Sequence, residues 1–259
     1  MNLCRPDETK SCAACCGLYN VPDATRPTLW KKLARRTALF RTAPRAIEDI
    51  ERHQKTVRSE EPDPPLEEVI HVCEFAGFLD AQRRVVGCQL HPSAPGNHGV
   101  DLRGLCHYGS MACKSFFCPA WEATPREHLQ ILANAPQDWH LYGLVITDVD
   151  FVTSLFSLME AQIGDTIDAA RIDRLEPFSV FQEMISWKDT WPFRGMSTLR
   201  RNRYYFKPSV PADALGPAEA MDLLLDCLAY TFDSSTNRAE AKEVVNKALN
   251  RFGRAYGCD

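Results

Sequence analysis

The sequence predicts an α+β fold, mostly α, with a loop-rich first half carrying a short β-hairpin and a helical second half. Three observations predict it. Nine of the eleven cysteines fall in the first 118 residues, interleaved with turn-forming Gly, Pro and Ser. Two runs of strand composition, Val69–Phe75 and Val85–Leu90, flank the polar turn Asp80–Arg84. From residue 124 onward, apolar residues recur at the three- and four-residue spacing of helices with one buried face. A chain of 259 residues, 45% hydrophobic and 25% charged, can bury a sizeable core. The expected division is a cysteine-cluster region, 1–123, that includes helices over about 27–58, and a helical region, 124–259.

Residues 1–25 are polar and cysteine-rich, and Pro6, Gly17 and Pro22 predict loop. Trp30, Leu33, Thr37 and Phe40 form one helical face, and Ile47, Ile50 and Val57 a second, with Thr42 and Pro44 as start signals. Lys31, Lys32, Arg35 and Arg36 read as the solvated face of the first helix. The turn-rich 59–66 is a linker. The hairpin that follows brings Cys73 and Cys88 to the same end. Residues 91–111 read as an irregular loop, long enough to need a function or a ligand to tie it down. Thr124-Pro125-Arg126-Glu127 has the form of a capping box with Pro in the first helical position. Leu141–Thr147 fits either strand or helix. Val149, Val152, Phe156, Met159 and Ile163 line a helix. Further helices are expected at 217–232 (Met221, Leu225, Leu228, Phe232) and at 236–252 (Val245, Ala248, Leu249, Phe252), the last stopped by Gly253. No internal repeat or low-complexity tract is present.

Clustered cysteines are the chemical signal. Cys4, Cys12, Cys15 and Cys16 form one group; Cys73, Cys88, Cys106, Cys113 and Cys118 form the other. Converging thiolates are what a soft metal ion or an iron–sulfur cluster requires. An odd cysteine count, with Cys15 and Cys16 adjacent, fits a disulfide framework badly. MNLCRPDETK has no apolar core of a signal peptide, and no apolar run reaches membrane-spanning length, so a cytoplasmic protein with no membrane partner is expected. The net charge of −4 gives no basic excess, and no nucleic-acid partner is expected. The run from Arg200 to Lys207, which mixes charge with aromatics, reads as a surface loop. Glycine-rich phosphate loops, G-x-S-x-G, H-E-x-x-H and the C-x-x-x-C-x-x-C of radical S-adenosylmethionine enzymes are all absent.

Ligand chemistry favours iron–sulfur, such as a 4Fe–4S cluster, over zinc. A mononuclear zinc usually takes its ligands from two short C-x-x-C knuckles, and this chain has one, continued by an adjacent cysteine. Neighbouring thiolates suit a polynuclear cluster, which offers each a different iron. Nine thiolates exceed the needs of one tetrahedral ion or one four-iron cluster, so either two sites exist or some cysteines are spare. His91 and His107 lie close to Cys88 and Cys106 and are candidate fourth ligands, with ordinary loop histidines the simpler reading; His71 reads as a packed strand residue. Arg83, Arg84, Arg103 and Lys114 interleave with the thiols and can offset their charge. Cys227 reads as a buried helix residue and Cys258 as part of a tail.

The strings T9-K-S-C12-A-A-C15-C16, C73-E-F-A-G-F-L-D, V86-G-C88-Q-L-H and A112-C113-K-S-F-F-C118-P resemble the YkgJ-type cysteine-cluster family of zinc- or iron-chelating proteins. The family pattern opens C-x-x-C-x-x-C-C and closes on a C-R-x-Y-P-C-like segment, and the resemblance covers residues 1–120. It implies Cys12, Cys15, Cys16, Cys73, Cys88, Cys113 and Cys118 as ligands. Thr9 stands at the first leading position, where Cys4 is the expected substitute, and Lys114 replaces the closing Arg. Cys106 is additional. The expectation is a metal-binding protein, with the site structural or electron-carrying and the helical half docking a protein partner. The alternative is a cluster-dependent enzyme that modifies a protein side chain, since the cysteine pattern is also similar to that of flagellin lysine methylases. On either reading, 1–25 and 91–118 hold too few apolar periodicities to order without metal.

Overall fold

A computed structural model describes residues 2–42, 45–194, 209, 215–229, 232 and 235–257. They form a mostly helical structure with one two-stranded antiparallel sheet. The chain divides into two units. The first comprises Met1–Phe117 and Asp138–Gly143; the second comprises Cys118–Gln137 and Leu144–Asp259. The expected boundary at 123/124 therefore falls inside the second unit. The run 200–207 and Cys258 lie outside the described residues.

In the first unit, α1 (Arg26–Thr42) packs against β1 (Ala76–Phe78), which forms a hairpin with β2 (Val86–Cys88), and α2 (Ile47–Glu60) packs against α1. The buried face of α1 is Leu29, Leu33, Arg36 and Phe40. Two residues depart from the expected pattern. Trp30 is 42% exposed, and Arg36 is 3% exposed because Glu61 neutralises it and it supplies a hydrogen bond inside the fold. Thr42 does not start α2. It is the last residue of α1, its hydroxyl bonded back to Leu39 O at 3.2 Å, and Ala46 is the N-cap of α2.

The hairpin is shorter than predicted and displaced on its first arm. Ala76 pairs with Cys88, Gly77 with Gly87 and Phe78 with Val86, while 69–75 is irregular. The backbone there pairs elsewhere: Cys73 N donates to Cys16 O at 2.8 Å, and Phe75 O accepts from Gln89 N at 2.9 Å. At the turn, the Asp80 carboxylate accepts from the amides of Arg84 and Val85, both at 2.8 Å. A Cβ on Gly77 would stand 2.9 Å from the Thr37 hydroxyl, which itself receives Phe78 N at 2.8 Å, so glycine lets β1 lie against α1.

Residues 1–25 are better packed than their composition predicts. Leu18, Tyr19, Val21 and Ala24 are buried, and Ser11 exchanges hydrogen bonds with Val86 of β2 at 2.6 and 2.7 Å. Segment 138–143 completes this packing. The Tyr19 hydroxyl reaches the carbonyls of Trp139 and His140 at 3.2 Å, His140 Nε2 bonds Ala24 O at 2.9 Å, and the Tyr142 hydroxyl donates to Leu3 O at 2.7 Å. That burial gives this stretch core contacts that its composition does not predict. The loop 91–111 is also partly regular, with a 3-10 turn at Arg103–Leu105 and α3 (Gly109–Ser115). Asn97 pins its first part by donating to the carbonyls of Gln89 and His91, both at 2.8 Å.

In chain order there follow α4 (Ala120–Ala123), α5 (Arg126–Asn134), α6 (Trp139–Ile146), α7 (Val149–Ile163), α8 (Ala169–Ile172), α9 (Leu175–Thr190), α10 (Pro217–Leu228) and α11 (Ser235–Gly257). The capping box is not formed: Thr124 caps the end of α4, and Pro125 is the N-cap of α5 without a side-chain bond. The stretch 141–147 resolves as helix through Ile146, with Thr147 in the turn that follows. In the second unit α7 packs against α10 and α11, and α11 against α9. Asp148 caps α7 by accepting from Phe151 N at 3.2 Å. Gly253 does not stop α11. It sits inside it, where a Cβ would stand 3.0 Å from Gln162 Cγ of α7. Among the described residues no single helix is long and apolar enough to cross a membrane.

Candidate metal centre

Three separated segments of the first unit carry thiols to one place. The 3-10 turn Ala14–Cys16 presents Cys15 and Cys16, and Gly17 ends it in the left-handed region (φ 71°). A Cβ there would stand 2.3 Å from His71 O, so glycine allows this turn to lie on the segment that holds Cys73. The hairpin supplies Cys88 opposite Ala76, three residues beyond Cys73. The 3-10 turn and α3 supply Cys106 and Cys113.

Cys73 and Cys106 belong to an apolar cluster with Phe40, Ile50, Phe75 and Leu90, and Cys16, Cys88 and Cys113 pack against it. The sulfurs of Cys106 and Cys113 are 3.3 Å apart. Cys16 shares hydrogen bonds with both Cys15 and Cys73, and the charges of Cys73, Cys106 and Cys15 all act on Cys88. All these cysteines are free thiols.

The remaining candidates are placed as follows. Cys4 is exposed, and its carbonyl accepts from Cys12 N at 2.9 Å. Cys12 Sγ accepts from Ala14 N at 3.4 Å. Thr9 turns to Asp7, bonding it through amide and hydroxyl. Cys118 is the first residue of the second unit, and Cys227 is buried in α10. His91 bonds Ser93 at 2.6 Å, while His107 stacks on His71 with ring centroids 4.0 Å apart. His71 is therefore not a strand residue; its ring also meets Glu74 at 3.2 Å.

The electrostatics follow from crowding. Burial pushes the Cys88 thiol up to about 12, with the charge of Cys73 adding to it. Burial likewise raises Cys113 to about 12, helped by its hydrogen bond with Cys106. Cys16 is raised well above the ordinary range because it donates to Cys15 and Cys73, and that same donation lowers both of those thiols. A group of thiols so placed cannot ionise together unless a cation shares the site.

Two guanidinium groups hold the backbone of thiol-bearing residues. Arg36 donates to Cys73 O at 3.0 Å while pairing with Glu61, and Arg103 donates to Cys113 O at 3.1 Å while pairing with Asp101. Lys114 also faces Asp101, at 3.5 Å. Arg83 and Arg84 serve the hairpin turn instead, over the Trp30 ring and beside Asp80. Sequence reasoning missed Arg36, since its spacing from Leu33 and Phe40 was the only sign that it shares the buried face. It missed Glu74 too. Burial opposes ionisation of that carboxyl, but His71 and Arg58 bond it and hold it at about 2.

Among the described residues no three His, Cys, Asp or Glu side chains are arranged to hold a metal ion as they stand. The donor set nonetheless has the right chemistry, being soft thiols with no competing hard ligand among the six. Two thiolates on a tetrahedral ion with bonds of about 2.3 Å stand about 3.8 Å apart. The Cys106–Cys113 pair at 3.3 Å is within about 0.5 Å of that spacing. A cavity of about 290 Å³ in the first unit is lined by His71, Glu74, His107, Tyr108, Arg36 and Arg58 among others, with no cysteine in its wall. Comparison with known protein families, curated proteins and solved structures finds no match.

Proposed function

We propose that the first unit is a metal-binding module that holds an iron–sulfur cluster, or a zinc or iron ion, through Cys15, Cys16, Cys73, Cys88, Cys106 and Cys113, with Cys4, Cys12 and Cys118 as further candidate ligands. The reading is supported by one observation above all: thiols from three distant segments gather around one apolar cluster, with Cys73 and Cys106 buried in it and Cys16, Cys88 and Cys113 packed against it. Isolated thiols fill cores as small hydrophobes, but several in mutual contact sacrifice apolar packing for a soft donor set. A bound cluster would supply one-electron chemistry, and a bound zinc ion would supply cross-links between the segments. Arg36 and Arg103, each paired with a carboxylate, keep the Cys73 and Cys113 backbones in place. The role is structural or electron-carrying, within a YkgJ-type family and with a protein partner for the helical half.

A specific observation favours keeping a second reading. The cavity is lined by Val72 and Glu74, the sequence neighbours of Cys73, and by His107, the sequence neighbour of Cys106, so a small molecule bound there would lie on the segments that carry two of the candidate ligands. That is the arrangement a cluster-dependent enzyme acting on a side chain would need. Anaerobic purification followed by metal analysis, sulfide assay and a visible spectrum tests the main reading. Bound iron with acid-labile sulfide, or stoichiometric zinc, is the expected result. A reduced protein that takes up neither metal would overturn it.

A further inference from the structure

We infer that Cys106 and Cys113 form a reversible disulfide under mild two-electron oxidation, which withdraws them from the donor set and makes metal occupancy redox-dependent. The release step rests on the metal-binding reading above; the disulfide itself does not.

The geometry points to this pair. Their sulfurs are already 3.3 Å apart, so they need to close by only about 1.3 Å to reach the bonded length of about 2.0 Å. Both lie within one short stretch, Cys106 at the end of the 3-10 turn and Cys113 on α3, which packs against that turn. Closure moves a local loop and leaves the hairpin and α1 in place. The competing pairs are worse placed. Cys15 and Cys16 are consecutive, and a trans peptide fixes their Cα atoms about 3.8 Å apart, below the about 4.4 Å at which ordinary disulfides begin. Cys16 and Cys73 are also in side-chain contact, but they lie on two different segments fixed by a backbone bond and by Arg36 on the Cys73 carbonyl, so closing them is not a movement within one local loop.

The reaction balances with a peroxide as oxidant. The thiolate is the reacting form, so the step is favoured by mildly alkaline pH, and Cys113, the more exposed of the two, is the one that peroxide in solution reaches. Its sulfur takes one peroxide oxygen, giving a sulfenic acid and a molecule of water. The Cys106 sulfur then attacks the sulfenic sulfur, the S–S bond forms, and the hydroxyl leaves with the Cys106 proton as a second water. Two thiols and one hydrogen peroxide thus give one disulfide and two waters, and a dithiol reductant reverses the change.

Sequence makes the test direct. Cleavage after Arg103 and Lys114 yields the peptide 104–114, which contains Cys106 and Cys113 and no other cysteine. The full-length, metal-free chain is titrated with hydrogen peroxide, alkylated, digested and mapped by mass spectrometry. The expected result is that 104–114 loses both alkylation labels together before any other cysteine does, and regains them after reduction. A Cys88→Ser variant should behave the same way, whereas Cys113→Ser should leave Cys106 open to alkylation or joined to a different partner. If another pair closes first, or if 104–114 goes to sulfinic acid without a disulfide, the inference is overturned. Loaded protein treated in parallel should lose its metal in step with closure; retention of full metal with 104–114 oxidised would overturn the release step. Failure of the reduced chain to bind any metal counts against the metal-binding reading instead, and the disulfide map of the metal-free chain is read independently of it.

Discussion

Lys188 and Asp148 are both fully buried in the second unit and joined at 2.6 Å, with Cys227 O as a second acceptor for the ammonium at 3.2 Å. Breaking such a pair leaves a lone buried charge, so Lys188→Met should destabilise the protein by about 3–5 kcal/mol. Adding Asp148→Asn, which keeps the cap on α7 and removes the charge, should recover part of that loss. Urea unfolding of both variants measures it, and no recovery would mean that the pair acts through packing alone. In the first unit His53 is buried, with Nε2 on Glu74 O at 3.1 Å and its ring stacked on Phe75. Burial holds its pKa below the ordinary value. Below about pH 6.5 the unfolded chain takes up a proton that the folded chain refuses. The His53 contribution is therefore complete above that pH and is lost as pH falls towards the folded value. The thermal midpoint should drop between pH 7 and pH 5, and His53→Gln should flatten that drop. That Cys16, Cys73, Cys88, Cys106 and Cys113 lie together was legible, because thiols have few other reasons to cluster in sequence, whereas nothing in the spacing set Cys4 and Cys12 apart from them. Arg36 was not, since a basic residue reads as exposed until its partner, Glu61, is known to face it.

Two glycines inside helices show how far an element's periodicity can be trusted. Gly143 lies in α6, where a Cβ would stand 2.0 Å from the Tyr19 hydroxyl; Gly253 lies in α11, where it would meet only the flexible end of Gln162. Gly143→Ala should destabilise the protein, because Tyr19 is wholly buried and has nowhere to move. Gly253→Ala should stabilise it by up to about 1 kcal/mol, the ordinary helix preference for Ala. Thermal melts of the two variants should shift in opposite directions. The sequence reading of Gly253 as a stop failed because the apolar periodicity of α11 carries the helix through it to Gly257. Helices with strong three-and-four spacing, α1, α7 and α10, were legible. The first arm of the hairpin was not, because Cys73 and Phe75 give their backbone bonds to Cys16 and Gln89 in place of a longer ladder. The same contrast governs what metal removal should expose. Residues 11–24 are largely buried, whereas over 91–117 burial is confined to Ala94, Asn97 and Cys106 among the residues whose side chains are described. Limited proteolysis of the metal-free protein should therefore cut within 103–117 and spare 11–24. Equal cleavage of both would show that core burial does not hold the first stretch.

At the scale of the molecule, the fold class was legible from composition and period, but the partition of the chain was not. Nothing in the residues 138–143 marks them as part of the cysteine unit; Tyr19, Ala24 and Leu3 become their partners only in three dimensions. A fragment ending at residue 123 should accordingly be less resistant to protease than one ending at 143, although both contain every cysteine through Cys118. The same discontinuity imposes an order on synthesis. A ribosome adding about 5–20 residues per second makes residue 143 roughly two to six seconds after Cys113. The same lag applies as the chain leaves the tunnel, so for that interval the thiol-bearing segments are outside it while the segment that buries Tyr19 is still inside. The nascent chain thus has a window in which its donors are accessible and its N-terminal packing is unfinished, and delivery of metal has those seconds in which to act before the unit closes.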